Sequence, residues 1–218
     1  MGGIAVSEIL SLATERDEAL ARARDALRAG ELVVVPTDTV YGVAADPFAP
    51  GATAKIFTLK NRARSLPLPV LISRPRQAWA LCDSVPPGAA ELAGAFWPGA
   101  LTIVMPQTPD LDWDLGENVG TIALRMPDHA DTLELIEMTG PLAVTSANLS
   151  GEPTAPEVEQ VRARLGEDVA IYLDGGPSKA AEGSTIVDLA RRRPAIVREG
   201  PIARDAIERA IGARIGRA

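Results

Sequence analysis

The 218-residue sequence contains one cysteine, Cys82, and one histidine, His129. A single thiol cannot form an intrachain disulfide, which suits a reducing compartment. A metal site built from several Cys or His ligands is excluded. A Ser-His-Asp or Cys-His catalyst could draw only on His129. No apolar run approaches a membrane span: the longest, residues 68–72 and 100–105, are strand-sized. No basic residue precedes Arg16, so the charged start of a signal peptide is missing. Val6 stands where a myristoylation signal needs Ser or Thr. The expected location is the cytoplasm. Aromatics are 4% of the chain, and Trp79, Phe96 and Trp97 fall at helical positions suited to core or lid, with nothing that marks a base-stacking platform.

What is present is ordinary for a globular protein: 46% hydrophobic and 23% charged residues, enough to bury a sizeable core. The length fits one domain over 1–218, with a core of about 14–202 and a C-terminal helix over 203–215. The formal charge of -7 argues against a chain that coats nucleic acid along its whole surface. Thr14 and Asp17 read as a capping box for a helix that Gly30 stops. Further helices are expected over 52–60, 75–81, 88–97, 129–139 and 156–165. Strands are expected over 32–35, 68–73, 101–105, 121–125, 142–145, 169–173, 185–189 and 195–198. This interleaving makes the class α/β, around one twisted mixed sheet with flanking helices.

Charge is unevenly spread. Between Asp46 and Asp83 there is no acidic residue, while Lys55, Lys60, Arg62, Arg64, Arg74 and Arg76 all lie there. A solvated basic face is one reading. A phosphate site is the favoured one, because the basic residues flank the apolar strand and the neighbouring loops are dense in Thr, Ser and Gly. Neither G-x-x-x-x-G-K-[ST] nor G-x-G-x-x-G occurs, so side chains would have to hold the phosphate. Lys60 and Arg62 alternate around Asn61 and would point the same way in an extended segment, as a clamp for phosphates or a carboxylate.

Polar clusters sit beside the expected strands at Thr37–Thr39, Thr121, Ser146-Ala147-Asn148 and Ser184-Thr185. Open α/β sheets gather ligands at strand ends, although for any one cluster taken alone turn and cap chemistry is the better explanation. Arg125 closes an apolar strand, and its charge needs a partner: Asp128 or a ligand carboxylate. His129 reads as a surface or capping residue, and Cys82 as structural.

Six segments then occur in order: Pro36-Thr37-Asp38-Thr39-Val40-Tyr41-Gly42, Lys60-Asn61-Arg62, Phe96-Trp97-Pro98-Gly99-Ala100-Leu101-Thr102, Ser146-Ala147-Asn148-Leu149-Ser150-Gly151, Ser184-Thr185-Ile186-Val187-Asp188 and Val197-Arg198-Glu199-Gly200. Together they resemble the YrdC-type threonylcarbamoyl-AMP synthases, most closely the short single-domain forms of actinobacteria. The resemblance implies a twisted sheet around a deep basic cavity. It implies a nucleotidyltransferase that makes threonylcarbamoyl-AMP and pyrophosphate from L-threonine, bicarbonate and ATP with Mg2+, without a tightly bound cofactor or a resident metal. Other proteins would pass the threonylcarbamoyl group to a tRNA adenosine beside the anticodon. Carried over by position, Lys60 and Arg62 are catalytic. Arg62, Thr121, Ser146, Thr154 and Arg198 contact ATP. Thr39, Arg125, Ser184 and the backbone of Val144 contact threonine.

The sequence departs from this pattern in places. Ala63 and Ala100 replace usual prolines. Leu66 and Leu71 stand where many relatives have Asn and His, so those two polar contacts are expected either to be absent or to come from elsewhere, with Arg64 and Ser65 as the candidates. Other readings are a double-stranded RNA or tRNA-binding module that uses the basic segment, a family paralogue with a different acceptor, and the carbamoyl-adenylate domain of hydrogenase-maturation proteins. The last needs zinc-finger cysteines that this chain lacks.

Overall fold

A computed structural model describes residues 7–109, 111–117, 120–178, 180 and 182–217; Val6 lies outside them. In chain order the elements are β1 (Glu8–Ser11), α1 (Arg16–Arg28), β2 (Val33–Val35), β3 (Gly42–Ala45), α2 (Ala52–Leu59), β4 (Val70–Leu71), α3 (Pro75–Leu81), α4 (Ala89–Phe96), β5 (Leu101–Pro106), β6 (Thr121–Arg125), α5 (Ala130–Thr139), β7 (Leu142–Ser146), α6 (Val158–Leu165), β8 (Ile171–Asp174), β9 (Thr185–Asp188), β10 (Ala195–Arg198), α7 (Arg204–Ile211) and β11 (Gly216–Arg217). The strands form one mixed sheet in the order β1-β8-β2-β3-β7-β4-β6-β5-β9-β10-β11. No helix among the described residues is long and apolar enough to cross a membrane.

Alternation along the strands decides which face is core. Val34 and Val43 join the larger apolar cluster with α2, α3, α4, α6 and α7, whereas Val33, Val35 and Ala44 join a second cluster with α1 and α5. The same rule operates at the other end of the sheet. Leu101, Ile103 and Met105 on β5, and Ile122 and Leu124 on β6, enter the larger cluster. Their neighbours Thr102, Val104, Thr121, Ala123 and Arg125 face the other way. There the α1–α5 layer no longer covers the sheet, and those side chains line a cavity.

Several expectations need correction. The Thr14–Asp17 capping box does not form: α1 starts after Glu15, whose carboxylate instead accepts the Ser11 N–H at 3.0 Å. Strand β1 was not expected, and neither was β3, which pairs antiparallel with β2 and β7. The final helix is shorter than 203–215. It ends at Ile211 with Gly212 in the left-handed conformation, and the chain then returns as β11 beside β10. The Lys60-Asn61-Arg62 segment is not extended. Lys60 closes α2 in the helical region and Asn61 has φ +46°, the left-handed turn that ends a helix. Lys60 and Arg62 therefore diverge.

Candidate active site

The cavity is about 410 Å³, within the range of small-molecule sites. Among the described residues its lining includes Arg62, Arg125 and Arg198 and no Asp or Glu. Thr39, Thr121, Val144, Ser146 and Ser184 also line it. The sheet thus brings together eight of the ten residues expected at the site. Lys60 and Thr154 are not among the lining residues.

Lys60 is 2% exposed. Its ammonium donates to the carbonyls of Ser146 and Asn148 and to Asn148 Oδ1. The Ser150 hydroxyl in turn donates to the Lys60 carbonyl at 2.7 Å. These bonds tie the end of α2 to the turn after β7. Burial, with Arg62 nearby, lowers its pKa to about 8.

Arg62 does face the cavity. Its Nε donates to the Leu66 carbonyl at 2.8 Å and Nη2 to the Pro67 carbonyl at 3.2 Å. Burial holds its pKa below the ordinary guanidinium value. Leu66 and Leu71 both line the cavity as apolar wall. Arg64 does not take over a polar contact there: it pairs with Asp114 at 2.6 Å and lies over the Phe57 ring. Ser65 is exposed and does not line the cavity.

Arg125 finds a partner that the sequence did not suggest. Nη2 donates to Asp38 Oδ1 at 2.6 Å, Nη1 to Thr39 Oγ1 at 2.9 Å, and Nε to the Gly99 carbonyl at 3.0 Å. Asp128, the expected partner, contributes only its backbone N–H, which donates to the same Asp38 oxygen at 2.9 Å. Burial pulls the Arg125 pKa down, Asp38 opposes this, and Arg198 adds to the lowering.

Arg198 reaches the cavity through a β-bulge. Ile196 pairs with Val187 and Arg198 with Ile186, so one extra residue sits on β10 between them. Without it Arg198 would share the core-facing side of Ile196; the bulge turns it to the cavity. Its Nε donates to the Ser184 carbonyl at 2.9 Å and Nη2 to Ser184 Oγ at 3.2 Å. Ser184 Oγ is also 2.6 Å from Thr102 Oγ1. Nothing in the bare sequence signals a bulge; beside it Gly200 meets backbone so closely that a Cβ would lie 2.7 Å from the Gly183 carbonyl oxygen.

The basic segment 47–82 contributes less than its charge suggests. Lys55 pairs with Glu31, Arg64 with Asp114 and Arg74 with Glu137, all on the surface. Only Arg62 of its six cations lines the cavity. Arg125 and Arg198 come from elsewhere in the chain.

Residues 25–200 match the Sua5/YciO/YrdC family, described as telomere recombination. The chain is 47% identical to a Mycobacterium tuberculosis protein named for threonylcarbamoyl-AMP synthesis, over 91% of both chains. It is 39% identical to the Bacillus subtilis threonylcarbamoyl-AMP synthase, covering 90% of this chain and 57% of that one. Sua5 of Pyrococcus abyssi, solved in complex with L-threonine, superposes with TM-score 0.88 at 33% identity, over 96% of this chain and 62% of that one. The family match over most of the length, carried by a relative of nearly equal size, establishes that this chain belongs to the Sua5/YciO/YrdC family.

Proposed function

We propose that the chain is an ATP-dependent L-threonylcarbamoyl-adenylate synthase, a nucleotidyltransferase acting ahead of threonylcarbamoyl transfer to tRNA adenosine by other proteins. The observation that carries this reading is the convergence of Arg62, Arg125 and Arg198 on one cavity, beside the hydroxyls of Thr39, Thr121, Ser146 and Ser184; the Asp38 carboxylate pairs with Arg125 but is not among the lining residues. A triphosphate and an amino-acid carboxylate both need cations, and the three guanidiniums outnumber the one carboxylate paired to Arg125. The names of the relatives point to the same substrates.

The reaction needs no protein nucleophile. The amine of threonine and bicarbonate give a carbamate and water. A carbamate oxygen attacks the α-phosphorus of ATP, and the bond to the bridging oxygen breaks to release pyrophosphate. Arg62 and Arg198 neutralise charge on the phosphates as it moves to the leaving group, with Thr121 and Ser146 orienting the nucleotide. Arg125 takes the threonine carboxylate, with Ser184 and Thr39 beside it. Magnesium enters with ATP as part of the substrate. Lys60 acts as a positioning residue, through the 146–148 turn. The RNA-binding alternative has less support, because Lys55, Arg64 and Arg74 already have carboxylate partners on the surface and Lys60 is buried.

The test is to incubate the protein with ATP, Mg2+, bicarbonate and L-threonine and to look for threonylcarbamoyl-AMP by mass spectrometry. Its appearance supports the reading; AMP or ADP alone contradicts it.

A further inference from the structure

Hydrogen-bond bookkeeping in the 37–40 loop fixes what Thr39 can offer a ligand. A threonine hydroxyl has one proton and two acceptor positions. The Thr37 hydroxyl donates its proton to the Val40 carbonyl at 2.7 Å. It accepts the Thr39 backbone N–H at 3.1 Å. Thr37 Oγ1 also lies 3.0 Å from Thr39 Oγ1. Its proton is already spent, so in this last bond Thr39 is the donor. Thr39 Oγ1 meanwhile accepts from Arg125 Nη1 at 2.9 Å. One acceptor position is all that remains to it. Both threonines are buried, at 8% and 2% exposure, and both line the cavity.

The pair at the other wall behaves differently. Thr102 and Ser184 share one hydrogen bond at 2.6 Å, and Arg198 donates to Ser184. Two hydroxyl protons serve one shared bond, so this pair keeps a proton to give.

On the reading of the site as a threonine-binding one, we propose that Thr37 is a specificity-determining positioning residue. It commits the Thr39 hydroxyl to acceptance, so that Thr39 receives the amino nitrogen of the substrate. A carboxylate cannot sit on Thr39, because both would be acceptors. It can sit on Arg125, whose guanidinium adjoins Thr39, and an α-amino acid held there by its carboxylate brings its nitrogen beside Thr39. The neighbouring guanidinium disfavours an ammonium at that point and favours the neutral amine that the carboxylation consumes. The carbamate nitrogen still carries one N–H, so the same contact survives the first step.

The experiment measures KM for L-threonine and for ATP in wild type, Thr37→Val, Thr37→Ser, Thr39→Val and the Thr37→Val/Thr39→Val double variant. Thr37→Val is expected to raise the threonine KM about tenfold while the ATP KM stays within about twofold. Thr37→Ser, which keeps the hydroxyl, restores the threonine KM. Because Thr37 acts through Thr39, the double variant is no worse than Thr39→Val alone. L-2-aminobutyrate keeps the amine and lacks the side-chain hydroxyl, and its inhibition constant rises by the same factor as the threonine KM in Thr39→Val. An unchanged threonine KM in Thr37→Val, or multiplying effects in the double variant, overturns the role of Thr37. An inhibition constant that does not move assigns Thr39 to the side-chain hydroxyl and overturns the nitrogen contact. Wild-type protein that turns over without needing threonine refutes the synthase reading itself, a result separate from any of these.

Discussion

The ammonium of Lys60 caps the main-chain carbonyl of Ser146, joining the end of α2 to the end of β7. Two motifs 86 residues apart in sequence are thereby one structural unit. The three protons of the ammonium match three acceptors, the carbonyls of Ser146 and Asn148 and the Asn148 side chain.

That match gives a pH prediction. Burial lowers the Lys60 pKa to about 8, and above it a neutral amine has two protons for three acceptors. Activity should fall as pH rises through about 8, and Lys60→Met should be about tenfold or more slower with a flat profile there. Stability moves the other way. The folded state sheds the proton before the unfolded one does, so this group's contribution to stability rises from about pH 8 towards its ordinary value of 10.5. Initial rates and urea titrations from pH 7 to 10 check both signs.

Asp38 and Arg125 form an ion pair whose side chains are only 16% and 8% exposed. Removing one partner leaves a buried charge uncompensated. Asp38→Ala should cost about 3 kcal/mol of stability, read by chemical denaturation, and raise the threonine requirement as Arg125 loses its orientation. Arg125→Ala should raise the threonine KM with little change in that for ATP.

Among the described residues Arg62 donates its hydrogen bonds to the Leu66 and Pro67 carbonyls of its own loop and has no carboxylate partner within 4 Å. Arg62→Ala should therefore remove charge without opening the core. Pyrophosphate release should drop at least about a hundredfold while the melting temperature moves by no more than a few degrees.

Gly200 is where backbone meets backbone. A Cβ there would lie 2.7 Å from both the Gly183 carbonyl oxygen and the Thr185 nitrogen, neither of which can rotate away. Gly200→Ala should cost about 1–3 kcal/mol and weaken ATP and threonine binding together, because it displaces both Ser184 and Arg198. Calorimetry with each substrate separates this joint loss from the selective ones above.

The parts of this site that the sequence discloses are those governed by local rules. Strand alternation places Thr121 and Arg125 on one face without knowledge of the rest. The parts it conceals depend on a register or a turn. Arg198 reaches the cavity because β10 holds one extra residue, and a strict period of two would send it into the core. Lys60 and Arg62 look like a matched clamp until Asn61 takes φ +46° and separates them. Asp128 is the nearer acid to Arg125 in sequence, yet Asp38 arrives from the loop between β2 and β3, a pairing that depends on β3, a strand too weakly patterned to foresee. Charge counting misled for a related reason: the acids that neutralise Lys55, Arg64 and Arg74 lie outside the acid-free stretch.

On the proposed function, this cavity joins threonine, bicarbonate and ATP. The most direct measurement is pyrophosphate release by the purified protein with ATP, Mg2+ and bicarbonate, with and without L-threonine, and with serine and glycine in parallel. Release should require both bicarbonate and threonine and be weaker with serine and glycine. Release indifferent to the amino acid, or none at all, would contradict that function.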